Sequence, residues 1–353
     1  MSSRLPYSAR LLTLALASGI GIASIYLMYR YWRRKKTVAE DIVDEATEGV
    51  TNDGDRVANL KRKLKKLLYR QNVHCTDIDD VEELIDELII DGPSKLQVIA
   101  DFDRTMTPIS YRGKPVPSTH GVIESCPHLP DWFKEEVDKT RIYYQKIEFS
   151  PVMSREEKIP FMEEWWHKAQ ERLTRCSLSR EDLKEGVRSS NLYLREKLSA
   201  VLDKLHVNDI PMLVFSAGVG NVIEQMFLQR YSLYDNIHII ANWMDFNHEG
   251  VLVGFKGETI HTFNKNTHAV HNASYFKSLR HRHNVILLGD SLGDLDIAHG
   301  LSKTDRLLTI GYLNEQVDAS LEEYKRRFDI VLVHEEGAEL LQALIENIAD
   351  TDQ

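Results

Sequence analysis

Cysteine is scarce in this chain, with three in 353 residues. Cys75, Cys126 and Cys176 are odd in number, far apart, and form no CxxC pair. That fits a reducing compartment and gives no support to a zinc site. The fourteen histidines are scattered, and even "RHRHN" at 280–284 lacks an HExxH or Cys/His ligand pattern. Positive charge is not in excess either. A formal net charge of −10 argues against a duplex-binding surface spread over the whole protein, so no nucleic-acid polymer is expected as a partner. No GxxxxGK[ST] loop occurs, and "SAGVGNVIEQ" lacks the third glycine of a dinucleotide fingerprint. No internal repeat or low-complexity segment stands out. Nothing in the chain calls for an oligomer, and it is read as a monomer.

Long apolar runs are also rare, with one exception. "LLTLALASGIGIASIYLMY" at 11–29 is nineteen residues without a charge, long enough to span roughly 30 Å of hydrocarbon as a helix. Arg30, Arg33, Arg34, Lys35 and Lys36 follow it. A cleaved secretory signal is the alternative. The length of the run and the basic cluster behind it favour an uncleaved anchor with the rest of the chain in the cytosol. The endoplasmic reticulum and the outer mitochondrial membrane suit it equally. Residues 1–36 are thus read as a membrane anchor with a basic flank, and 37–79 as a tether and basic helix. In that helix "NLKRKLKKLLYR" puts Leu60, Leu64, Leu67 and Leu68 on one face, to lie on anionic lipid or to pack on the folded domain.

From about residue 80 the pattern alternates. "DDVEELIDELII" is an amphipathic helix opened by an aspartate cap and closed by Gly92-Pro93. Apolar β-branched runs then recur at "LQVIADF", "PMLVFSAG", "IHIIANWM", "NVILLGD", "LLTIGYL" and "DIVLV". Helical patterns lie between most of them. This predicts an α/β doubly wound parallel sheet. Strand signals vanish over roughly 120–200, which predicts a helical cap inserted into a core made of 80–119 and 201–353.

Four polar motifs fall at or just after predicted strand ends, where open α/β sheets bind ligands. They are Asp101-Phe-Asp103-Arg-Thr105, Ser216 in "VFSAGVGN", Lys265 in "TFNKN", and Asp290 with Asp294 in "LLGDSLGDLD". Each alone reads equally as a polar turn, a helix cap or a surface lysine. Taken together and in this order, they resemble the haloacid-dehalogenase-like phosphohydrolases. The resemblance implies Mg²⁺ held by Asp101, Asp103 and Asp290, with Asp101 as nucleophile and Asp103 as general acid and base. It also implies that Ser216 and the amide of Ala217 or Gly218 hold phosphate oxygens, and that Lys265 neutralises phosphate and keeps Asp101 ionised. Asp294 would orient the metal's surroundings and Thr105 would cap the turn after the nucleophile.

From about residue 80 to 348 the chain further resembles the cytosolic 5′-nucleotidase III family. "KLQVIADFDRTMT", "IEFSPVMSREEKIPFMEEWW", "NWMDFNHEGVLVGFKGETIHTFNKN" and "NVILLGDSLGD" are among the segments that carry it. That family hydrolyses nucleoside 5′-monophosphates, pyrimidine nucleotides typically and 7-methylguanosine monophosphate in one branch. Glu148 is then implied as a base-binding carboxylate from the cap. In "MEEWWHKA" the adjacent Trp165 and Trp166 point about 100° apart, so they cannot share one core. Trp166 with Ala169 is the combination of the methylguanosine branch, and stacking of a cationic purine on indole gains on the order of 0.5–2 kcal/mol. Arg104 departs from the family's usual residue types, and strand alternation predicts that its side chain points away from the two aspartates. A tethered phosphatase for another small ester or a phosphoprotein uses the same four motifs. An inactive scaffold would dispense with some of them. Transfer of the phosphoryl group to another nucleoside is a further possibility.

Overall fold

The computed structural model describes residues 53–350, apart from 149, 151, 266–274, 276–278, 280, 301–303 and 335–336. The apolar run 11–29, its basic flank and the tether up to residue 52 fall outside them. Among the described residues no helix is long and apolar enough to cross a membrane.

The basic helix is α1 (Asp53–Leu68). Its Leu64, Leu67 and Leu68 are buried in the main core. Lys63 pairs with Glu346 at 2.9 Å, and Asn347 Nδ2 donates to the Leu60 carbonyl. Of the two placements its periodicity allows, the apolar stripe is packed on the protein. After the short β1 (Val73–Cys75) comes α2 (Ile78–Asp91). Asp77 caps it by accepting from the amides of Asp79 and Asp80, and Gly92 at φ 74° ends it, as the sequence predicts.

The sheet has eight strands. Besides β1, they are β2 (Leu96–Ala100), β5 (Met212–Val219), β6 (Ile237–Phe246), β7 (Leu252–Lys256), β8 (Asn284–Gly289), β9 (Arg306–Leu313) and β10 (Ile330–Val333). A separate hairpin, β3 (Ser110–Tyr111) with β4 (Lys114–Pro115), follows β2. The order is β1-β10-β9-β8-β2-β5-β6-β7. Neighbours from β10 to β6 pair in parallel, while β1 and β7 are antiparallel edges. All six predicted strands are present. The antiparallel edges were not predicted, because β1 has only three residues and β7 (LVGFK) carries no continuous apolar run. The centre β8-β2-β5 is buried almost throughout, as parallel strands covered on both faces must be. The chain passes from β2 to β5 on one side and returns to β8 on the other, which opens a crevice at their carboxyl ends.

Between β2 and β5 lie α3 (Thr119–Glu124), α4 (Asp131–Glu148), α5 (Arg155–Arg175), α6 (Arg180–Ser189) and α7 (Leu198–Val207). Helices α4 and α5 pack on each other, and α5 also meets β7. Helix α3 packs on β5 and α6, and α6 on α8 (Gly220–Arg230). Helices thus fill the stretch between β2 and β5, with α4 and α5 as a mutually packed pair. The last elements are α9 (Val317–Arg327) and α10 (Glu339–Ala349).

Candidate active site

Strand β2 ends at Ala100 and delivers Asp101 to the crevice. The next five residues form one wide turn over Phe102–Met106, closed by the Thr107 amide on the Phe102 carbonyl at 3.1 Å. Arg104 sits in the left-handed region at φ 65°, a conformation that costs a non-glycine residue energy and needs outside support. The support is visible. The Arg104 amide donates to Thr107 Oγ1 at 2.9 Å. The Arg104 carbonyl accepts from Arg195 Nη2 at 2.7 Å and from Asn314 Nδ2 at 3.0 Å. Arg195, 2 % exposed, also donates from Nε to the Thr105 carbonyl and from its main chain to Met106.

Two expectations change here. Thr107, not Thr105, caps this turn. The left-handed step at Arg104 brings the later hydroxyl back over the turn, and Thr105 Oγ1 is buried without a hydrogen-bond partner. The Arg104 side chain does point away, pairing with Glu315 at 2.8 Å. The cause is the left-handed turn, not strand alternation.

Lys265 is buried between two carboxylates. Its Nζ lies 2.6 Å from Asp101 Oδ1, 2.7 Å from Asp294 Oδ1 and 3.3 Å from the Phe215 carbonyl. Burial works against its charge, but the two carboxylates outweigh that and hold its pKa above the ordinary value. Asp294 is bonded at both oxygens. Its Oδ2 accepts from the amides of Asp290 and Ser291 and from Ser291 Oγ at 2.9–3.1 Å. Asp294 therefore builds the turn that carries Asp290. Tyr324 supports the same turn by donating to the Asp290 carbonyl at 2.7 Å. Gly289 is required where it is, because a Cβ there would stand 2.5 Å from Asp294 Cβ.

Asp101, Asp290 and Asp294 each offer an oxygen within 4.8 Å of the others. The expected trio had Asp103 in place of Asp294. Both Asp103 oxygens are instead held by Thr119, Oδ1 by its amide at 2.9 Å and Oδ2 by its hydroxyl at 2.8 Å. This turns the Asp103 side chain out of the carboxylate group. Burial pushes Asp103 up to about 6 in spite of those bonds. Burial also raises Asp101, and Asp294 adds to it against the pull of Lys265. Asp290 is driven well above a normal carboxylate by burial and by its acidic neighbours. A buried excess of carboxylate this close together is what a hard divalent cation relieves, and the all-oxygen donor set suits Mg²⁺.

Ser216 follows the apolar part of β5, where the register with β6 breaks between Phe215 and Val219. Such an irregularity re-aims the backbone next to a site. Ser216 Oγ accepts the Gly218 amide at 2.9 Å, so that amide is spent and Ala217 is left as the candidate phosphate donor. A Cβ on Gly218 would meet Thr119 Oγ1 at 2.3 Å and Asp103 Oδ2 at 2.9 Å. Gly218 thus lets the end of β5 close in on Asp103, while Lys265 joins β5 to Asp101 through the Phe215 carbonyl.

The base-binding candidates come from the helical insertion. Glu148 ends α4 and accepts from Thr262 Oγ1 at 3.3 Å, and burial raises its pKa. Trp165 and Trp166 separate as expected. Trp165 stacks on Tyr144 at 5.5 Å, whereas Trp166 meets His120 edge-on at 4.6 Å. Ala169 shares a small cleft with His120, Glu124 and Arg172. Thr119, His120, Arg195 and Thr262 were not anticipated. No motif flags them, because each acts on a residue distant in sequence.

Comparison with known proteins agrees with this geometry. Residues 104–349 match the family model described as pyrimidine 5′-nucleotidase (UMPH-1). The chain is 39 % identical over 268 residues to the human 7-methylguanosine phosphate-specific 5′-nucleotidase, covering 76 % of this chain and 89 % of that one. The Drosophila melanogaster protein of the same name is 35 % identical over 276 residues, covering 77 % and 86 %. Among solved structures, cytosolic 5′-nucleotidase IIIB bound to cytidine superposes with a TM-score of 0.75 at 32 % identity, covering 81 % of this chain and 97 % of that one.

Proposed function

Because the chain belongs to the pyrimidine 5′-nucleotidase (UMPH-1) family and is a 5′-nucleotidase, we propose that it hydrolyses nucleoside 5′-monophosphates through a phosphorylated Asp101. The observation that carries this reading is the Asp101–Lys265–Asp294 chain, which sets a lysine ammonium directly against the buried carboxylate at the end of β2.

Asp101 attacks phosphorus in line and displaces the nucleoside, so that one difficult displacement becomes two easier ones. Asp103 donates a proton to the departing ribose oxygen and later takes one from the water that hydrolyses the intermediate. Its pKa of about 6 suits both roles near neutrality. Thr119 fixes both Asp103 oxygens, and so fixes the direction of that proton transfer. Ser216 and the Ala217 amide hold the phosphate oxygens, and Lys265 balances their charge. Asp101 and Asp290 would hold Mg²⁺, which when bound supplies Lewis-acid stabilisation of the phosphoryl oxygens.

Glu148 accepts hydrogen bonds from the base, and Trp166, braced by His120, offers it an indole face. The Trp166 and Ala169 combination favours 7-methylguanosine monophosphate, with CMP and UMP as further substrates. Residues 11–29 would tether the enzyme to a membrane with the catalytic domain on the cytosolic side.

The test is phosphate release by the full chain with Mg²⁺ from 7-methylguanosine, cytidine and uridine monophosphates, beside phosphoserine and an aryl phosphate. Nucleotides turned over well above the other two esters support the reading. Phosphoserine or the aryl ester alone turning over defeats the role given to Glu148 and Trp166.

A further inference from the structure

We propose that Arg155 is a positioning residue that seats the α4–α5 pair on the catalytic end of the sheet through a half-buried ion pair with Asp296, a role that rests on the nucleotidase reading. Arg155 is the first residue of α5, inside the Ser154–Glu157 capping box. A cation there opposes the helix dipole, which favours the Glu156 and Glu157 beside it. Helix stability therefore does not account for an arginine at this place. Its guanidinium leaves the helix and crosses to the core. One nitrogen donates to Asp296 Oδ2, and Nη2 donates to the Phe263 carbonyl at 2.7 Å.

Both partners stand next to catalytic groups. Asp296, 6 % exposed, lies two residues beyond Asp294. Phe263 lies two residues before Lys265, which bonds Asp294 at 2.7 Å. One planar, rigid fork thus grips both segments that meet at the Lys265–Asp294 bond. The surrounding contacts run the same way. Gln170 Nε2 donates to Thr259 Oγ1 at 3.1 Å, Thr262 donates to Glu148, and Lys158 lies 6.0 Å from the centre of the Phe263 ring. The segment 259–263 is where the helical pair rests, and Arg155 supplies a charge-assisted contact at that seat.

The consequence is a division by substrate. A nucleotide is held at both ends, by Glu148 and Trp166 on the helical pair and by Lys265 and Ser216 on the core. It needs the two parts at a fixed separation. A small aryl phosphate touches only the core and does not.

Arg155→Met, Asp296→Asn and the double variant of the full chain test this, with steady-state kinetics on the preferred nucleotide and on an aryl phosphate. Either single change should lower nucleotide kcat/KM by roughly ten- to a hundredfold. The double should be no worse than the worse single, since the two residues act as one unit. Aryl phosphate turnover should stay within about threefold. Amide exchange across 155–165 should quicken while β2 and β8 keep their protection. Equal losses on both esters, additive single effects, or unchanged exchange in α5 would each overturn the proposal. Wild-type enzyme inert toward every nucleotide would instead sink the nucleotidase reading, and the exchange of α5 in the variants would still decide whether the pair seats the helix.

Discussion

Thr119 holds both carboxylate oxygens of Asp103, one through its amide and one through its hydroxyl, and the same hydroxyl accepts the Val219 amide at 3.1 Å. One side chain therefore joins Asp103, the proposed general acid, to the end of β5. Thr119→Val keeps the amide bond and removes the other two. Expected is a fall in kcat of roughly 10²-fold, the scale of general acid–base catalysis, with KM little changed. A stability loss of about 1–3 kcal/mol accompanies it, because the buried Val219 amide is left unpaired. Steady-state kinetics and denaturant melts separate the two effects. A variant with wild-type kcat shows that Asp103 does not need this anchor.

Lys265 is the ammonium between Asp101 and Asp294. Its replacement by Met leaves buried carboxylates facing each other, which costs about 3–5 kcal/mol in the metal-free protein. Added Mg²⁺ should recover part of that stability without recovering turnover. Thermal melts with and without the ion check this, and a variant as stable as the parent without Mg²⁺ contradicts it.

Trp166→Ala removes the indole face beside His120. Preference for a cationic methylated purine over cytidine should narrow by about 2- to 30-fold, equivalent to roughly 0.5–2 kcal/mol. Competition between the two nucleotides in one reaction measures the ratio directly. An unaltered ratio removes Trp166 from base selection.

His120 is half-buried against Trp166, and burial lowers its pKa to about 4 from the usual 6.5. The sign follows from which state takes the proton first. The unfolded chain charges below about pH 6.5 while the folded protein stays neutral until about pH 4. Stability contributed by this residue is whole above pH 6.5 and drains away as pH falls toward 4. Because the ring is only half-buried, the loss is about 1–2 kcal/mol. Denaturant midpoints between pH 7 and 4.5 should fall less in His120→Phe than in the parent. Parallel curves would show that His120 takes no part.

The sequence exposed the parts of this site that are local and left out those that are not. Each of the six core strands is a largely apolar run, so their pattern survives in one dimension, and Asp101, Ser216 and Asp290 sit at strand ends while Lys265 comes nine residues after β7. The edge β1 has only three residues, and β7 (LVGFK) is broken by a glycine and carries no continuous apolar run. Thr119 reaches Asp103 across 16 positions, Arg195 reaches the turn after the nucleophile across some 90, and Thr262 meets Glu148 across 114. Such contacts exist only once the chain has folded. The exchange of Thr105 for Thr107 has a different cause. The left-handed step at Arg104, four residues past the end of β2, brings Thr107 back over the turn, and no local sequence pattern signals such a step.

The central claim is that Asp101 carries the phosphoryl group. Enzyme mixed with its preferred nucleotide and Mg²⁺, quenched in acid within one turnover and reduced with borohydride, exposes the acyl phosphate as homoserine at that position. Homoserine at residue 101, absent from Asp101→Asn and from enzyme quenched before substrate, is the expected result. Phosphate released with no homoserine at 101 would mean that water attacks the nucleotide directly, and the role assigned to Asp101 would be wrong.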